Sequence, residues 1–170
     1  ISTYFMQIYF PNDPKTYFST MGCRTANGWD INGMGQQKDG RGNICPVTII
    51  MPTLAMEAQE TFAIHNYDIK TTEFDTVEIF MKLLDTKIHE AKDMLLERFE
   101  YICKQSPESA KFMYENGTMA GYIPEEGIRS ALKHGTIVIG QLGLAETLEI
   151  LIGCNHTTEK GMKLAKRIEQ

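Results

Sequence analysis

Apolar positions recur every three or four residues along one long stretch of this chain. Val77, Met81, Leu84, Ile88, Ala91, Leu95, Phe99 and Ile102 share one face of a helix that the spacing predicts from about Phe74 to Lys104. Thr72 is placed to cap it, and Asp75 adds an acidic group to its first turn. Glu78, Lys82, Asp85, Lys92 and Glu100 make the opposite, solvated face. Upstream, residues 1–10 are aromatic and β-branched enough for a strand or extended segment, which Pro11, Asn12, Asp13 and Pro14 interrupt. A short helical turn then leads to Met21-Gly22-Cys23-Arg24-Thr25. Val47 to Met51, between Pro46 and Pro52, reads as a buried strand, and Pro52 suits the first turn of a helix over Thr53 to Ile64.

Beyond the long helix the punctuation is regular. Ser106-Pro107-Glu108 opens a short helix that ends near Asn116-Gly117, and Pro124-Glu125-Glu126 opens a third that ends at His134-Gly135. Thr136 to Gly140 is a strand, Leu142 to Ile152 a helix closed by Gly153, and Thr157 to Glu169 a last helix capped by Thr158. Strands followed by helices predict an α/β architecture. The stretch from Ala26 to Gly42 breaks this order. It is rich in glycine, asparagine and aspartate and has no apolar period, and loops of that length are usually functional or disordered.

Composition narrows the field. The chain has 170 residues, 42% hydrophobic and 23% charged, with a formal net charge of -5. That length suits one domain or part of a larger one. The negative balance argues against a broad nucleic-acid surface, which needs clustered cations, but leaves nucleotides open, since backbone N–H groups and helix N-termini hold phosphates. No apolar run reaches the roughly 20 residues that span a bilayer, and no signal peptide opens the chain. A cytoplasmic location, without membrane or nucleic-acid partners, is the expectation. The chain opens in a strand-like run and ends inside a helical pattern at Gln170, so it reads as an internal piece of a longer protein.

Four cysteines, Cys23, Cys45, Cys103 and Cys154, are too sparse for a disulfide framework. Cys23 lies between Gly22 and Arg24 at the start of the long loop, where a guanidinium can lower a thiol pKa. The bland alternative is a small packing residue, which is how Cys45 and Cys103 read. Cys154 has His156 nearby, but no Cys-x-x-Cys or His-x-x-x-His pair supports a metal centre, so none is expected within this chain. A cysteine hydrolase would need a base, yet nothing ties His65, His89, His134 or His156 to Cys23. His134 is explained by its place near a helix C-terminus. Gly135, Thr136, Gly140 and Gly143 lie in a run that reads strand, tight glycine turn, helix. That is a natural anion site, with close strand–helix packing as the equal alternative.

Three stretches together resemble one family. They are Met21-Gly-Cys-Arg-Thr25; Gly40-Arg-Gly-Asn43, leading to Pro52-Thr-Leu-Ala-Met-Glu57; and His134-Gly-Thr-Ile-Val-Ile-Gly-Gln-Leu-Gly-Leu-Ala-Glu146, continuing to Ile152-Gly-Cys-Asn-His156. In this order and spacing they resemble the anaerobic, glycyl-radical ribonucleoside-triphosphate reductases over essentially the whole chain. The resemblance implies part of a ten-stranded α/β barrel, residues 1–170 forming a single partial catalytic domain with a finger loop at about 18–43. It implies Cys23 as the thiyl-radical residue that takes the 3′ hydrogen of the ribose, and Asn43 as a substrate contact. The substrate would be a ribonucleoside triphosphate, met also by Gly135, Thr136, Gly140 and Gly143. The intact enzyme would need a glycyl radical installed by an iron–sulfur, S-adenosylmethionine-dependent activating protein. It would also have a zinc site outside this chain, formate as reductant, ATP and deoxynucleotide effectors, and a homodimeric state. The glycyl-radical motif, the cysteine-rich zinc site and the upstream nucleotide-sensing region are absent from these residues, so the chain alone would not turn over. A lyase-type glycyl-radical enzyme, or an inactive remnant pairing through the long helix, are the alternatives.

Overall fold

A computed structural model describes residues 12–21, 25–65 and 73–170. Among them are four strands in two two-stranded sheets, so the architecture is mixed α/β. β1 (Ser19–Met21) and β2 (Thr25–Asn27) are antiparallel, with Ser19 opposite Asn27 and Met21 opposite Thr25. β3 (Asn43–Ile50) pairs with β4 (Thr136–Leu142). The helices are α1 (Met51–His65), α2 (Glu73–Cys103), α3 (Lys111–Glu115), α4 (Arg129–Leu132), α5 (Leu144–Ile152) and α6 (Glu159–Ile168). The chain divides into two compact units, one from Ile1–Val47 with Met94–Val138, the other from Thr48–Asp93 with Ile139–Gln170.

The second unit holds the larger core. Met51, Leu54, Ala55, Ala58 and Phe62 recur at helical spacing on α1 and are all buried. Ala55 and Ala58 have no side chain beyond Cβ, which lets α1 lie close against α5, where Thr147, Leu148 and Leu151 are buried. Val77, Phe80 and Leu84 of α2 and Ala165 and Ile168 of α6 complete this cluster. Each large side chain so removed from water contributes about 1.5–3 kcal/mol. α6 begins as the sequence predicts: the Thr158 hydroxyl accepts a hydrogen bond from the Gly161 amide at 3.0 Å, satisfying one of the orphan donors of the first turn. Gly153 ends α5 in the left-handed conformation, φ 70°.

In the first unit, Tyr114, Ile128, Ala131 and Leu132 are buried, and Ile44, Phe99, Ile102 and Tyr122 pack against them. The Tyr114 and Tyr122 rings meet at 4.8 Å, tilted by 47°, a favourable aromatic arrangement. Arg129 stands 5.5 Å over the Phe99 ring and pairs with Glu100.

The long helix forms over nearly the predicted span, but its buried face differs. Ile88 is 41% exposed, whereas Phe80, outside the predicted stripe, is fully buried. The strand predicted over Val47 to Met51 begins earlier, at Asn43, and passes through Pro46; Ile50 is exposed and Met51 already starts α1. The single helix predicted from Pro124 is two pieces. A 3-10 turn at Pro124–Glu126 is cut off from α4 by Gly127, whose φ of 71° no right-handed helix accommodates. The strand predicted over Thr136 to Gly140 forms. β4 runs through Gly140 to Leu142, and the turn falls on Gly143, φ 84°. Residues 1–10 and Thr72 lie outside the described residues. No helix among the described residues is long and apolar enough to cross a membrane.

Candidate functional site

Two of the sequence motifs come together in the first unit. Asn43 opens β3, half-buried, with its amide oxygen enclosed. Gly42, immediately before it, accepts a hydrogen bond from the Thr136 amide at 2.9 Å, and the Thr136 hydroxyl reaches the same carbonyl at 3.4 Å. Gly135 sits so close to β3 that a Cβ there would lie 2.5 Å from Ile44 Cδ1 and 2.9 Å from the Gly42 carbonyl oxygen. Only glycine permits that approach. The segment bearing Asn43 and the run beginning at His134 are therefore one packed assembly, although more than ninety residues separate Gly42 from Thr136.

Arg41 fastens this assembly to the long loop. Its Nε donates to the His134 carbonyl at 2.6 Å, and Nη1 donates to the Gly28 and Gln37 carbonyls, both at 2.9 Å. A guanidinium spread over three main-chain oxygens is a clamp, since its fixed fork of donors holds all three at once. Lys38 Nζ shares the Gly28 carbonyl at 2.9 Å and also donates to Tyr17 O at 3.3 Å. Burial, with the Arg41 charge beside it, holds the Lys38 amine below its ordinary pKa. Gly40 is gripped in turn: its carbonyl accepts the Ala120 amide at 3.0 Å, and its φ is 73°.

At the centre of the loop is a buried pair that the sequence reading missed. His134 Nδ1 lies 2.8 Å from Asp30 Oδ2, with both side chains almost wholly inaccessible. The Met34 amide donates to the same oxygen at 2.9 Å, and Asn32 Nδ2, 3.5 Å from Asp30 Oδ1, donates to the Lys133 carbonyl at 2.8 Å. Burial pushes the Asp30 carboxyl up, but the hydrogen bonds from Met34, His134 and Asn32 and the attraction of His134 outweigh it and hold the pKa below the ordinary value. An ionised carboxylate only accepts, so Nδ1 carries the proton. The one available signal was an aspartate inside a glycine-rich loop. Nothing in a single sequence tied it to a histidine 104 residues away.

The other candidates stand apart from this assembly. Cys23 falls in residues 22–24, outside the described residues, which the paired Met21 and Thr25 flank in sequence. Gly140 is an interior residue of β4, and Gly143 is the N-cap of α5, where a Cβ would meet Pro52 Cγ at 2.5 Å. Both belong to the second unit. α5 has no side-chain cap, and Glu146 is the acidic group of its first turn. Cys45 is buried, and burial pushes its thiol and that of Cys103 up. No group of three or more His, Cys, Asp or Glu side chains among the described residues is arranged to hold a metal ion.

Comparison with known proteins gives this arrangement a context. A family model described as anaerobic ribonucleoside-triphosphate reductase matches residues 1–169. The anaerobic ribonucleoside-triphosphate reductase of Escherichia coli (strain K12) is 25% identical over 165 residues, which cover 91% of this chain and 21% of that protein. Its counterpart in Salmonella typhimurium (strain LT2) is 25% identical over 167 residues, with the same coverage. That of Haemophilus influenzae (strain Rd) is 23% identical over 164 residues, again 91% of this chain and 21% of the relative. The chain thus spans about a fifth of the length of these relatives. With a match running from residue 1 to residue 169, the chain belongs to the anaerobic ribonucleoside-triphosphate reductase family.

Proposed function

We propose that this chain is part of the catalytic barrel of an enzyme that reduces ribonucleoside triphosphates to deoxyribonucleoside triphosphates, with residues 18–43 as its finger loop. The observation that carries the reading is the family match over residues 1–169 on a chain that holds Gly22-Cys23-Arg24 and Gly40-Arg41-Gly42-Asn43 in order. The clamping of the second motif against His134–Thr136 supports it, since a substrate contact at Asn43 needs a rigid backbone behind it.

In this reading Cys23, as its sulfur radical, takes the 3′ hydrogen atom of the ribose: an S–H bond forms as the C3′–H bond breaks, and the unpaired electron passes to carbon. The unpaired electron at Cys23 would come from the glycyl radical of the intact enzyme. Asn43 holds a ribose hydroxyl through its amide nitrogen, the amide oxygen being enclosed. In this reading the run that holds Gly135, Thr136, Gly140 and Gly143 also meets the substrate, with the Gly135 and Thr136 amides already bonded to the Leu132 and Gly42 carbonyls. Formate is the reductant that goes with an asparagine at position 43. The zinc site, ATP and deoxynucleotide effectors, the radical-generating activating protein and the homodimer belong to the whole enzyme, acting in the cytoplasm.

The test uses the full-length enzyme, activated anaerobically, with Cys23→Ser against wild type. A hydroxyl O–H bond is too strong for this exchange, so the variant is expected to keep its glycyl radical, read by electron paramagnetic resonance, and to form no deoxynucleotide. Product from the variant at the wild-type rate would remove Cys23 from the reaction.

A further inference from the structure

We propose that Asp30 and His134 are positioning residues for the reaction, a buried pair that fixes where Asn43 stands. The inference rests on the role of Asn43 just assigned. Its geometry is a short relay. Asp30 holds the His134 ring at 2.8 Å. The His134 carbonyl is held by Arg41 at 2.6 Å, two residues before Asn43. One residue past Gly135, the Thr136 amide holds the Gly42 carbonyl at 2.9 Å, next to Asn43 itself. Gly121 packs close against the ring: a Cβ at that position would fall 2.7 Å from His134 Nε2. The links are main chain, the buried Asp30 and His134 side chains and the half-buried Arg41, so a displacement at Asp30 is passed toward the 40–43 segment. A pair whose task was only to stabilise the fold would serve equally well with apolar side chains of similar volume. Here both members aim their polar atoms at one another, and the His134 carbonyl is tied to Arg41 in the motif that carries Asn43.

Chemistry supplies matched variants. Asp30→Asn keeps one carbonyl oxygen able to accept from both His134 and Met34, and His134→Asn keeps a donor where Nδ1 stood. Asp30→Ala and His134→Gln remove the bond, the second with almost no loss of volume, for use where the alanine variant does not fold. All are made in the full-length enzyme, alone and combined with Asn43→Ala. Glycyl-radical yield, KM and kcat are measured for a ribonucleoside triphosphate.

The two asparagine variants are expected within about threefold of wild type. Asp30→Ala and His134→Gln are expected to lose about tenfold or more in kcat/KM with the radical yield unchanged, a coupling within the range seen for residues of one network. In the Asn43→Ala background the same substitutions are expected to cost nothing further, because what they position is already gone. An undiminished loss in that background overturns the positioning role while leaving Asn43 in place. If Asn43→Ala alone retains wild-type kcat/KM, the assignment of Asn43 has failed first, and the inference falls with it.

Discussion

Substituting Gly135 by alanine tests the contact that joins β3 to β4. The new methyl carbon would stand 2.5 Å from Ile44 Cδ1, 2.6 Å from Ile44 Cγ1 and 2.9 Å from the Gly42 carbonyl oxygen. Rotation of Ile44 relieves the first contact. The last is with backbone, and the oxygen involved is the acceptor of the Thr136 amide. Overpacking of this kind costs about 1–3 kcal/mol. Alanine recovers about 0.4–1 kcal/mol by restricting the unfolded chain. From the middle of each range the net is about 1.3 kcal/mol, which raises the local opening equilibrium roughly ninefold. Hydrogen exchange followed by mass spectrometry reports it directly. The Thr136 amide should exchange faster in Gly135→Ala by that factor, while the amides of α6 keep their wild-type rates. Unchanged or slower exchange at Thr136 would show that β3 yields freely, and the close approach would lose its structural meaning.

Two further outcomes follow from burial and charge. Phe80→Ala removes a fully buried ring from the α1, α2 and α5 core and should cost roughly 3–5 kcal/mol, whereas Ile88→Ala on the sequence-predicted stripe should cost less than about 1 kcal/mol; exchange protection along α2 distinguishes them, and equal effects would restore the predicted face. The Asp30 carboxyl titrates below its ordinary value of 3.8 when folded, so its ionised form contributes stability that is complete above that pH and disappears as pH falls through the lower folded value. The stability difference between wild type and Asp30→Asn should therefore be flat at neutral pH and shrink only under acid conditions; a difference that grows as pH falls would contradict the direction.

What the sequence disclosed was local. The 3.6-residue period of α2, the helical start at Ser106-Pro107, the Thr158 cap and the Gly153 stop are each written within a few residues, and each formed where expected. Phe80 was lost inside the run Ile79-Phe80-Met81, where three adjacent apolar residues blur the phase of the stripe. Of Gly140 and Gly143 only one makes the turn: a glycine turn depends on φ, and the left-handed angle falls on Gly143 while Gly140 stays in β4. The Asp30–His134 pair was invisible, since its two halves sit 104 residues apart in segments without periodicity.

The motif residues themselves divide in a way that spacing could not reveal. Arg41 stands in a motif beside a proposed substrate contact, and an arginine beside a triphosphate site invites the reading that it binds phosphate. Its Nε and Nη1 instead meet the His134, Gly28 and Gln37 carbonyls, and moving it to a phosphate would release all three. Gly42 offers its carbonyl to Thr136, and Gly135 offers the absence of a side chain. In the Gly40–Asn43 motif, then, three residues shape and hold the backbone, which leaves Asn43 for the proposed substrate contact. The motif is first a backbone fixture, and the contact proposed between the Asn43 amide and a ribose hydroxyl needs one, because such a contact is useful only at a fixed position.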